Sequence, residues 1–305
     1  MATALITGIN GFTGRYLEEQ LRFAGYDVAG LGVGASASPG NVIYNCDLAD
    51  RKALADVMGQ VQPDVVVHLA GISFAAHGDV EGIYRTNLIG TRNLIEAVVK
   101  CRGSRAAMLL ASSANVYGNA SVELIDETVP PAPANDYAVS KLAMEYVARL
   151  WMDQLPITIV RPFNYAGIGQ SAEFLLPKIV SHFRNRAPVI ELGNLDVVRD
   201  FSDVRLVTQC YTRLVEARAD TRVRGEIFNT CSGTGHSLQD VLSMMREISG
   251  HAPEIRINPA FVRTNEIKTL VGSRKKLESA IGAVADIPLI ETLRWMYLDD
   301  GAAKR

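Results

Sequence analysis

Short apolar runs alternate with amphipathic stretches along the first two thirds of the chain. The apolar runs have the length of strands and few polar interruptions, which is typical of parallel strands buried on both faces. The stretches between them repeat apolar residues at helical spacing, as at Leu94, Ile95 and Val98. This repeated order of strand and helix predicts an α/β fold with a doubly wound parallel sheet, whose ligand lies along the C-terminal ends of the strands.

The first predicted strand runs directly into a glycine-rich turn and a helix. Gly8, Gly11 and Gly14 follow Leu5 and Ile6 at a spacing that suits a sharp turn, close approach of a pyrophosphate and tight packing of the helix on the strand. The start of that helix offers free N–H groups to phosphates. We therefore predict a Rossmann-type domain that binds a dinucleotide. Its predicted contacts in this turn are Gly8, Gly11, Phe12, Thr13, Gly14 and Arg15.

The end of the second strand, predicted over residues 26–33, bears on the choice of cofactor. NAD enzymes usually carry Asp or Glu there, and residues 31–36 contain no acid. A 2′-phosphate would not be repelled, and Arg15 is a candidate cation for it, although it could equally be a solvated helix arginine. We expect NADPH to be the preferred cofactor, with NADH tolerated.

Two further strand ends carry polar or small residues. Asp47 follows an apolar strand, and either Asp47 or Asp50 could cap the next helix. The fourth strand, within residues 64–73, ends in small residues that admit a ligand. His68 lies inside that apolar run and is predicted to be a core histidine with satisfied hydrogen bonds rather than a catalytic one.

Tyr137 and Lys141 head a long predicted helix and share one of its faces, because residues four apart are neighbours on a helix. An ammonium beside a phenol favours the phenolate, so we expect Lys141 to lower the pKa of Tyr137, as a general acid or base requires. The preceding strand, residues 107–111, is followed by Ser112 and Ser113. Their hydroxyl groups are therefore predicted to lie near the strand ends, as is that of Tyr137.

Composition excludes several classes of function. The 305 residues are 48% hydrophobic with a net charge of −2, so we expect no nucleic-acid or membrane partner. The four cysteines are scattered, without the spacing of a metal site, and are predicted to be reduced thiols. The first strand begins close to Met1, which leaves no room for a signal peptide, and a cytoplasmic location is expected.

These motifs resemble those of the extended short-chain dehydrogenases/reductases that act on nucleotide sugars, and the similarity runs nearly end to end. The resemblance implies a catalytic set of Ser113, Tyr137 and Lys141, in which Tyr137 moves a proton, Lys141 holds the nicotinamide ribose and Ser113 binds the reacting oxygen. It also implies further cofactor contacts at Asp47, Leu48, Leu69, Ala70 and Gly71.

The two residues after Ser113 help to narrow the reaction. Dehydratases of this family carry a carboxylate there, whereas this chain has Ala114 and Asn115, neither of which can act as an acid or base. Two interpretations of the function remain: a reductase of a GDP-4-keto-6-deoxyhexose and a nucleotide-sugar 4-epimerase. An epimerase keeps NAD bound and usually carries an acidic residue at the end of the second strand. The absence of that acid in this chain therefore favours the reductase. A third reading, a non-catalytic cofactor-sensing protein, would predict a broken Ser/Tyr/Lys set.

The second half of the chain contains the predicted substrate contacts. Arg199 lies in a stretch, residues 191–205, that resembles GDP-mannose-derived sugar enzymes, and is predicted to bind the diphosphate or, alternatively, to pair with Asp200 or Asp203. By the same resemblance Arg263 would bind the diphosphate and Glu266 the ribose. The complete predicted substrate set is Ser73, Ser112, Ser113, Asn115, Asn164, Arg199, Arg263 and Glu266.

The absence of a flexible linker predicts a substrate domain built from insertions between the last strands. We assign residues 1–163, with returning segments around 196–232, to the Rossmann domain. Residues 164–195 and 233–305 form the smaller C-terminal α/β substrate domain. In similar proteins the helices near residues 87–100 and 137–152 form a dimer face, so a homodimer is expected.

Overall fold

The structure is a computed structural model that describes residues 1–34, 42–73, 79–261 and 267–299. Its strands are β1 Thr3–Thr7, β2 Asp27–Gly32, β3 Val42–Asn45, β4 Val65–His68, β5 Ala107–Ala111, β6 Ile157–Pro162, β7 Asn164–Ala166, β8 Val189–Leu192, β9 Val198–Asp203, β10 Ile227–Thr230, β11 Gly235–Ser237, β12 Glu254–Ile257 and β13 Thr269–Leu270. Its α-helices are α1 Phe12–Phe23, α2 Arg51–Val61, α3 Val80–Tyr84, α4 Thr91–Cys101, α5 Asp136–Arg149, α6 Leu175–Arg184, α7 Val204–Glu216, α8 Leu238–Ser249, α9 Lys275–Ile281 and α10 Leu289–Leu298.

Seven strands form one parallel sheet in the order β3-β2-β1-β4-β5-β6-β10. In the central register, Ile6 lies opposite Gly30 on one side and Val67 on the other. The apolar runs of β1, β4 and β5 are buried along almost their whole length, because helices cover both faces of the sheet. The predicted doubly wound Rossmann-type fold is confirmed.

The helices divide between the two faces according to where their apolar stripes point. The cluster on one face includes Leu17 of α1, Leu214 of α7 and Leu277 of α9. The cluster on the other face includes side chains of α2, α4 and α5, among them Leu94 and Met144. The outer helices therefore hold the sheet between two apolar layers, and its C-terminal edge is left open for a site.

A smaller α/β unit adjoins that edge. Strands β11, β9, β13 and β7 form a four-stranded sheet, and β8 pairs with β12. Helices α6, α8 and α10 bury a separate core around Phe183, Leu242 and Leu293. This unit carries the second half of the predicted site.

The chain returns to the large sheet later than expected from the sequence. Strand β9 belongs to the four-stranded sheet, and the return begins with α7, whose apolar face packs against α1. Helix α9, expected in the substrate domain, packs instead against β10 and α7. Both helices have an apolar face, which includes Val207 on α7 and Leu277 on α9. In each case this face packs into the core of the large sheet.

The helix expected over residues 87–100 is not uniform. Residues Arg85–Gly90 form a π-helical turn before α4 begins. The side chain of Asn87 in this turn bonds the backbone of Ile72 through both its oxygen (2.8 Å) and its nitrogen (3.1 Å). These bonds tie the wider turn to the segment that follows β4, and such turns often occur beside functional sites.

Within the described residues, no helix combines the length and apolarity that crossing a membrane requires.

Candidate active site

A cavity of about 1270 Å³ opens along the C-terminal ends of the strands of the large sheet and continues onto the smaller unit. This exceeds the usual size of a pocket for one small molecule, so it has room for two ligands side by side. The glycine turn after β1 forms one wall, and the segment after β5 together with the start of α5 forms the floor. Predicted residues from both halves of the chain, among them Gly8, Tyr137 and Arg199, therefore line one cavity.

The glycine turn has the close backbone packing that a dinucleotide cradle needs. Gly8 has φ +73°, a conformation that favours glycine. A Cβ atom on Gly14 would lie 2.4 Å from the carbonyl oxygen of Gly8, and one on Gly11 would lie 3.0 Å from it. Each predicted contact of the turn lines the cavity, namely Gly8, Gly11, Phe12, Thr13, Gly14 and Arg15. These residues fit a bound pyrophosphate.

The opposite side of the crevice is formed after β4, where the strand order reverses between β1 and β4. Leu69, Ala70, Gly71 and Ser73 all line the cavity there. A Cβ atom on Gly71 would lie 2.9 Å from the side-chain oxygen of Asn87 and 3.5 Å from Lys141 Nζ. This wall of the cavity therefore also requires glycine at this position.

His68 is a buried core residue, as predicted. Its Nδ1 lies 2.6 Å from the Thr7 hydroxyl and its Nε2 lies 2.8 Å from the Thr91 hydroxyl. Thr91 donates to the carbonyl of Asn87 (2.6 Å), so it accepts from Nε2, while Thr7, which accepts from Ala70 N, donates to Nδ1. Burial, with a contribution from nearby Lys141, lowers the pKa of His68 to about 3. The neutral imidazole thus cross-links β1, β4 and the start of α4.

Ser113 lies at the end of β5 and begins a short 3-10 turn. Its hydroxyl oxygen accepts from the backbone N–H of Asn115 and from the Asn115 side chain, both at 3.2 Å. Its proximity to Tyr137 acts to lower the pKa of the tyrosine. All three residues line the cavity.

Tyr137 occupies the first turn of α5, where Asn135 caps the helix by accepting from Ala138 N (2.9 Å). The sequence predicted a lowered pKa for Tyr137, and this was wrong for the protein without ligands: burial raises the pKa to about 12, and the proximity of Ser113 offsets only part of that effect. The phenol is therefore protonated at neutral pH, which suits a proton donor.

Lys141 lies one turn further along α5 and is also buried. Its ammonium donates to the carbonyl of Ala111 (2.8 Å), two residues before Ser113. Burial lowers the pKa of Lys141 to about 8, and Glu145 opposes that shift. Tyr137 and Lys141 thus lie one turn apart on α5, and Ser113 lies at the strand end that Lys141 contacts. All three side chains line the cavity.

Ser112, predicted to contact substrate, lines the cavity but directs its hydroxyl elsewhere. It is buried and donates to Glu145 Oε1 at 2.5 Å. Because the only hydroxyl hydrogen of Ser112 is used in this bond, Ser113 is the serine available to a ligand.

The predicted adenine contacts lie after β3. Asp47 is exposed and accepts from Ala49 N (2.8 Å), whereas Leu48 is buried beside Gly90. Neither lines the cavity as described. The helix-capping alternative applies to Asp50, which accepts from the backbone N–H groups that open α2.

The end of β2 forms the part of the cavity relevant to the 2′-position of a cofactor. Gly32 and Val33 line it, and Arg15, whose Nε donates to Asn10 O (3.1 Å), lies nearby on α1. Residues 35 and 36, part of the sequence argument on cofactor choice, lie outside the described residues. Of the cavity-lining side chains that the structure describes, Glu173 on the segment before α6 is the one carboxylate.

On the substrate side, Asn115, Asn164 and Arg199 line the cavity. The side-chain nitrogen of Asn164 is buried, with no partner among the described residues. Arg199 donates to the carbonyls of Val198 (2.9 Å) and Lys268 (3.1 Å).

The alternative partners of Arg199 are bonded elsewhere: Asp200 accepts from Ser232, and Asp203 accepts from Arg205. Arg263 and Glu266 lie outside the described residues.

Several residues that the sequence analysis did not assign also line the cavity. The Tyr165 hydroxyl lies 2.8 Å from that of Thr13, and its ring stacks on Phe12 at 6.0 Å. Lys178 lies 4.2 Å above the Phe261 ring. Gln170 and Tyr211 are further polar residues of the lining that had no assignment. Tyr165 and Gln170 closely follow Asn164 in the chain, whereas Lys178 and Tyr211 gave no local signal because only the tertiary fold brings them to the cavity.

The four cysteines are free thiols, and Cys101 is half-buried rather than part of the core like the other three. No group of metal-ligating side chains occurs in the part of the chain that the structure describes.

The chain is similar to proteins of known activity. The chain is 35% identical to GDP-6-deoxy-D-talose 4-dehydrogenase of Aggregatibacter actinomycetemcomitans, over 91% of this chain and 90% of that protein. It is 32% identical to GDP-6-deoxy-D-mannose reductase of Pseudomonas aeruginosa, over 96% and 95%. The structure of RMD from Pseudomonas aeruginosa complexed with NADPH superposes with a TM-score of 0.84, at 30% identity and coverage of 98% and 99%. The model of the NAD dependent epimerase/dehydratase family matches residues 4–231, and the chain therefore belongs to that family, the extended short-chain dehydrogenases/reductases that the motifs resembled.

Proposed function

We propose that the protein is an NADPH-dependent reductase of GDP-4-dehydro-6-deoxy-D-mannose that forms GDP-D-rhamnose. The observation that carries this proposal is the pairing of a protonated Tyr137 with Ser113 at the strand end, where positions 114 and 115 hold no carboxylate. This arrangement can deliver one proton to a carbonyl oxygen, and it lacks the base that dehydration would need at those positions. The similarity to GDP-6-deoxy-D-mannose reductase supports the choice of substrate.

The residues present fit a nicotinamide dinucleotide. Its pyrophosphate would lie on Gly8, Gly11 and Gly14, whose missing side chains leave the space, and its nicotinamide ribose would lie near Lys141. When bound in its reduced form, the cofactor supplies a hydride to C4 of the sugar. The open end of β2 at Gly32 and Val33 supports the preference for NADPH over NADH.

The protein side chains then have distinct tasks. Ser113 hydrogen-bonds the carbonyl oxygen and orients it, Tyr137 donates its phenolic proton to that oxygen, and Lys141 provides a positive charge that stabilises the phenolate left behind. Asn164, Arg199, Arg263 and Glu266 are proposed to bind the nucleotide diphosphate portion, and Ser73 and Asn115 the sugar. The side-chain nitrogen of Asn164, which is buried and has no partner in the described part of the chain, supports its part.

A second candidate product is GDP-6-deoxy-D-talose, which differs in configuration at C4. The similarity to a GDP-6-deoxy-D-talose 4-dehydrogenase favours it. The two candidates use the same residues and differ in the face of the carbonyl that receives the hydride.

The test mixes the purified protein with NADPH and GDP-4-dehydro-6-deoxymannose, follows nicotinamide absorbance and identifies the deoxysugar by NMR. Oxidation of NADPH with GDP-D-rhamnose as product supports the proposal, and GDP-6-deoxy-D-talose selects the second candidate. No oxidation, together with retained NAD and interconversion of UDP-glucose and UDP-galactose, would reassign the protein as a 4-epimerase.

We also propose a homodimer that acts in the cytoplasm. Apolar side chains on the π-helical turn, on α5 and directly after α5 are exposed, namely Ile89, Val139, Tyr146 and Leu150. A second copy of the same face would bury them in an isologous four-helix contact. Light scattering of the purified protein would test the dimer, and a monomeric mass would reject it.

A further inference from the structure

Glu145 is a fully buried carboxylate that the proposed reaction does not use. It lies one helical turn after Lys141 on the face of α5 that carries Tyr137. A carboxylate removed from water in this way is strongly disfavoured unless its partners compensate for the lost hydration. Its partners therefore indicate what it does.

Those partners join α5 to two neighbouring strands. Arg161 on β6 donates two hydrogen bonds to Glu145, from Nε at 2.9 Å and from the terminal nitrogen at 2.6 Å. Ser112, at the end of β5, donates a third at 2.5 Å. The Arg161 guanidinium also lies 4.8 Å above the ring of Tyr117, the last residue of the 3-10 turn that follows Ser113.

The strand end is thereby attached to α5 at two consecutive residues. Lys141 bonds the carbonyl of Ala111, and Glu145 bonds the hydroxyl of Ser112. The next residue is Ser113, whose hydroxyl lies close to Tyr137. The position of Ser113 relative to Tyr137 thus depends on both attachments.

We propose that Glu145 is the positioning residue of this site: its carboxylate lies one helical turn from the Lys141 ammonium, and its bond to Ser112 holds Ser113 against the helix that carries Tyr137. The catalytic consequence rests on the proposed function, whereas the effect on Lys141 is a property of the protein without ligands.

The charge balance around Lys141 supports this role. The titratable groups that face it are Tyr137 and Glu145 on its own helix and His68 on β4. Tyr137 and His68 are neutral at physiological pH, because burial raises the pKa of one and lowers that of the other. Glu145 is therefore the charge that opposes the loss of the proton from Lys141.

The test follows the Lys141 side chain directly. Protein labelled with ¹³C at lysine Cε contains eight lysines, so its spectrum is simple, and the signal absent from Lys141→Met identifies Lys141. We expect Glu145→Gln to shift the titration of that signal to lower pH by about one pH unit, since a nearby negative charge is lost. The matched control is Ser112→Ala, which removes a hydrogen bond to Glu145 without changing any charge and leaves the titration where it is.

A second variant covers the case in which Glu145→Gln does not fold because Arg161 is left unpaired. The double variant Glu145→Gln/Arg161→Gln removes both charges, and we expect the same direction of shift. NADPH binding, measured by fluorescence across pH, should weaken at lower pH in these variants than in the wild type. An unchanged Lys141 titration in a folded variant overturns the proposal, whatever the substrate proves to be. Absence of turnover in the wild type would instead reject the proposed function alone.

Discussion

Lys141 and Ala111 are joined by a 2.8 Å hydrogen bond from the ammonium on α5 to a backbone carbonyl at the end of β5. Since Ser113 follows two residues later, this bond connects the helix of Tyr137 to the strand of Ser113. The relative position of the two hydroxyls is therefore established by the protein before any ligand arrives. Substitutions at Tyr137, at the two serines after β5 and at Lys141 test this arrangement.

Tyr137→Phe removes the proposed proton donor while retaining the ring. We expect kcat to fall at least about 100-fold and the Kd for NADPH to change little, since only the hydroxyl is lost. Stopped-flow oxidation and fluorescence titration measure the two effects. Tyr146→Phe, an exposed tyrosine on the same helix, is the control and should keep its rate. A Tyr137→Phe enzyme with most of its activity would exclude proton transfer by this residue.

The two serines after β5 should differ in what they affect. Ser113→Ala removes a hydrogen bond to the reacting oxygen, and we expect kcat to fall about 100-fold with little loss of stability. Ser112→Ala leaves buried Glu145 with one donor fewer, so the free energy of unfolding should fall by ~1–3 kcal/mol. Because this change also removes one of the two attachments that position Ser113, kcat should fall as well, but by less than in Ser113→Ala. Denaturation and steady-state kinetics together separate the two. The reverse pattern would assign the catalytic role to Ser112.

The pH dependence of kcat/KM should have a basic limb near pH 8. Burial lowers the pKa of Lys141 to about 8, so the ammonium is lost as pH rises through that value, and with it the stabilisation of the phenolate. Tyr137, with a pKa of about 12, stays protonated over this range. Lys141→Met should lower the rate and remove the limb. A profile that stays flat through pH 8 would contradict the assignment.

Arg199→Ala should raise the substrate KM by about 10- to 100-fold with a smaller effect on kcat, because a charged donor to the diphosphate is removed. Arg205→Ala is the matched control. Arg205 pairs with Asp203 and lies 3.9 Å above the Trp295 ring, so its loss should reduce stability by ~1–3 kcal/mol and leave KM unchanged. An unchanged KM for Arg199→Ala would remove it from the substrate site.

Two glycine-to-alanine changes should have opposite signs. A Cβ atom at Gly14 would meet Gly8 O at 2.4 Å, so Gly14→Ala should destabilise the protein by ~1–3 kcal/mol and weaken NADPH binding. Gly59, inside α2, has no atom within 4 Å of such a Cβ, and Gly59→Ala should stabilise by ~0.5–1 kcal/mol. Thermal unfolding with and without NADPH measures both. Equal behaviour of the two variants would argue against a tight turn.

Much of the site could be predicted because its signals are local. The spacing of Gly8, Gly11 and Gly14 prescribes a turn, and the four-residue interval between Tyr137 and Lys141 places both on one helical face. Ser112 and Ser113 show the limit of such reasoning. They are adjacent and chemically identical, and only the partner Glu145, more than 30 residues away, determines which hydroxyl is engaged.

The sequence by itself determined the doubly wound sheet, the position of the nucleotide turn and the pair of Tyr137 and Lys141, because periodicity and short-range spacing are properties of neighbouring residues. The tertiary structure alone decided that α7 and α9 return to the large sheet and that β9 does not. It also decided the protonation of Tyr137, which the sequence predicted in the wrong direction. A pKa depends on burial, and burial arises from contacts between segments far apart in the chain.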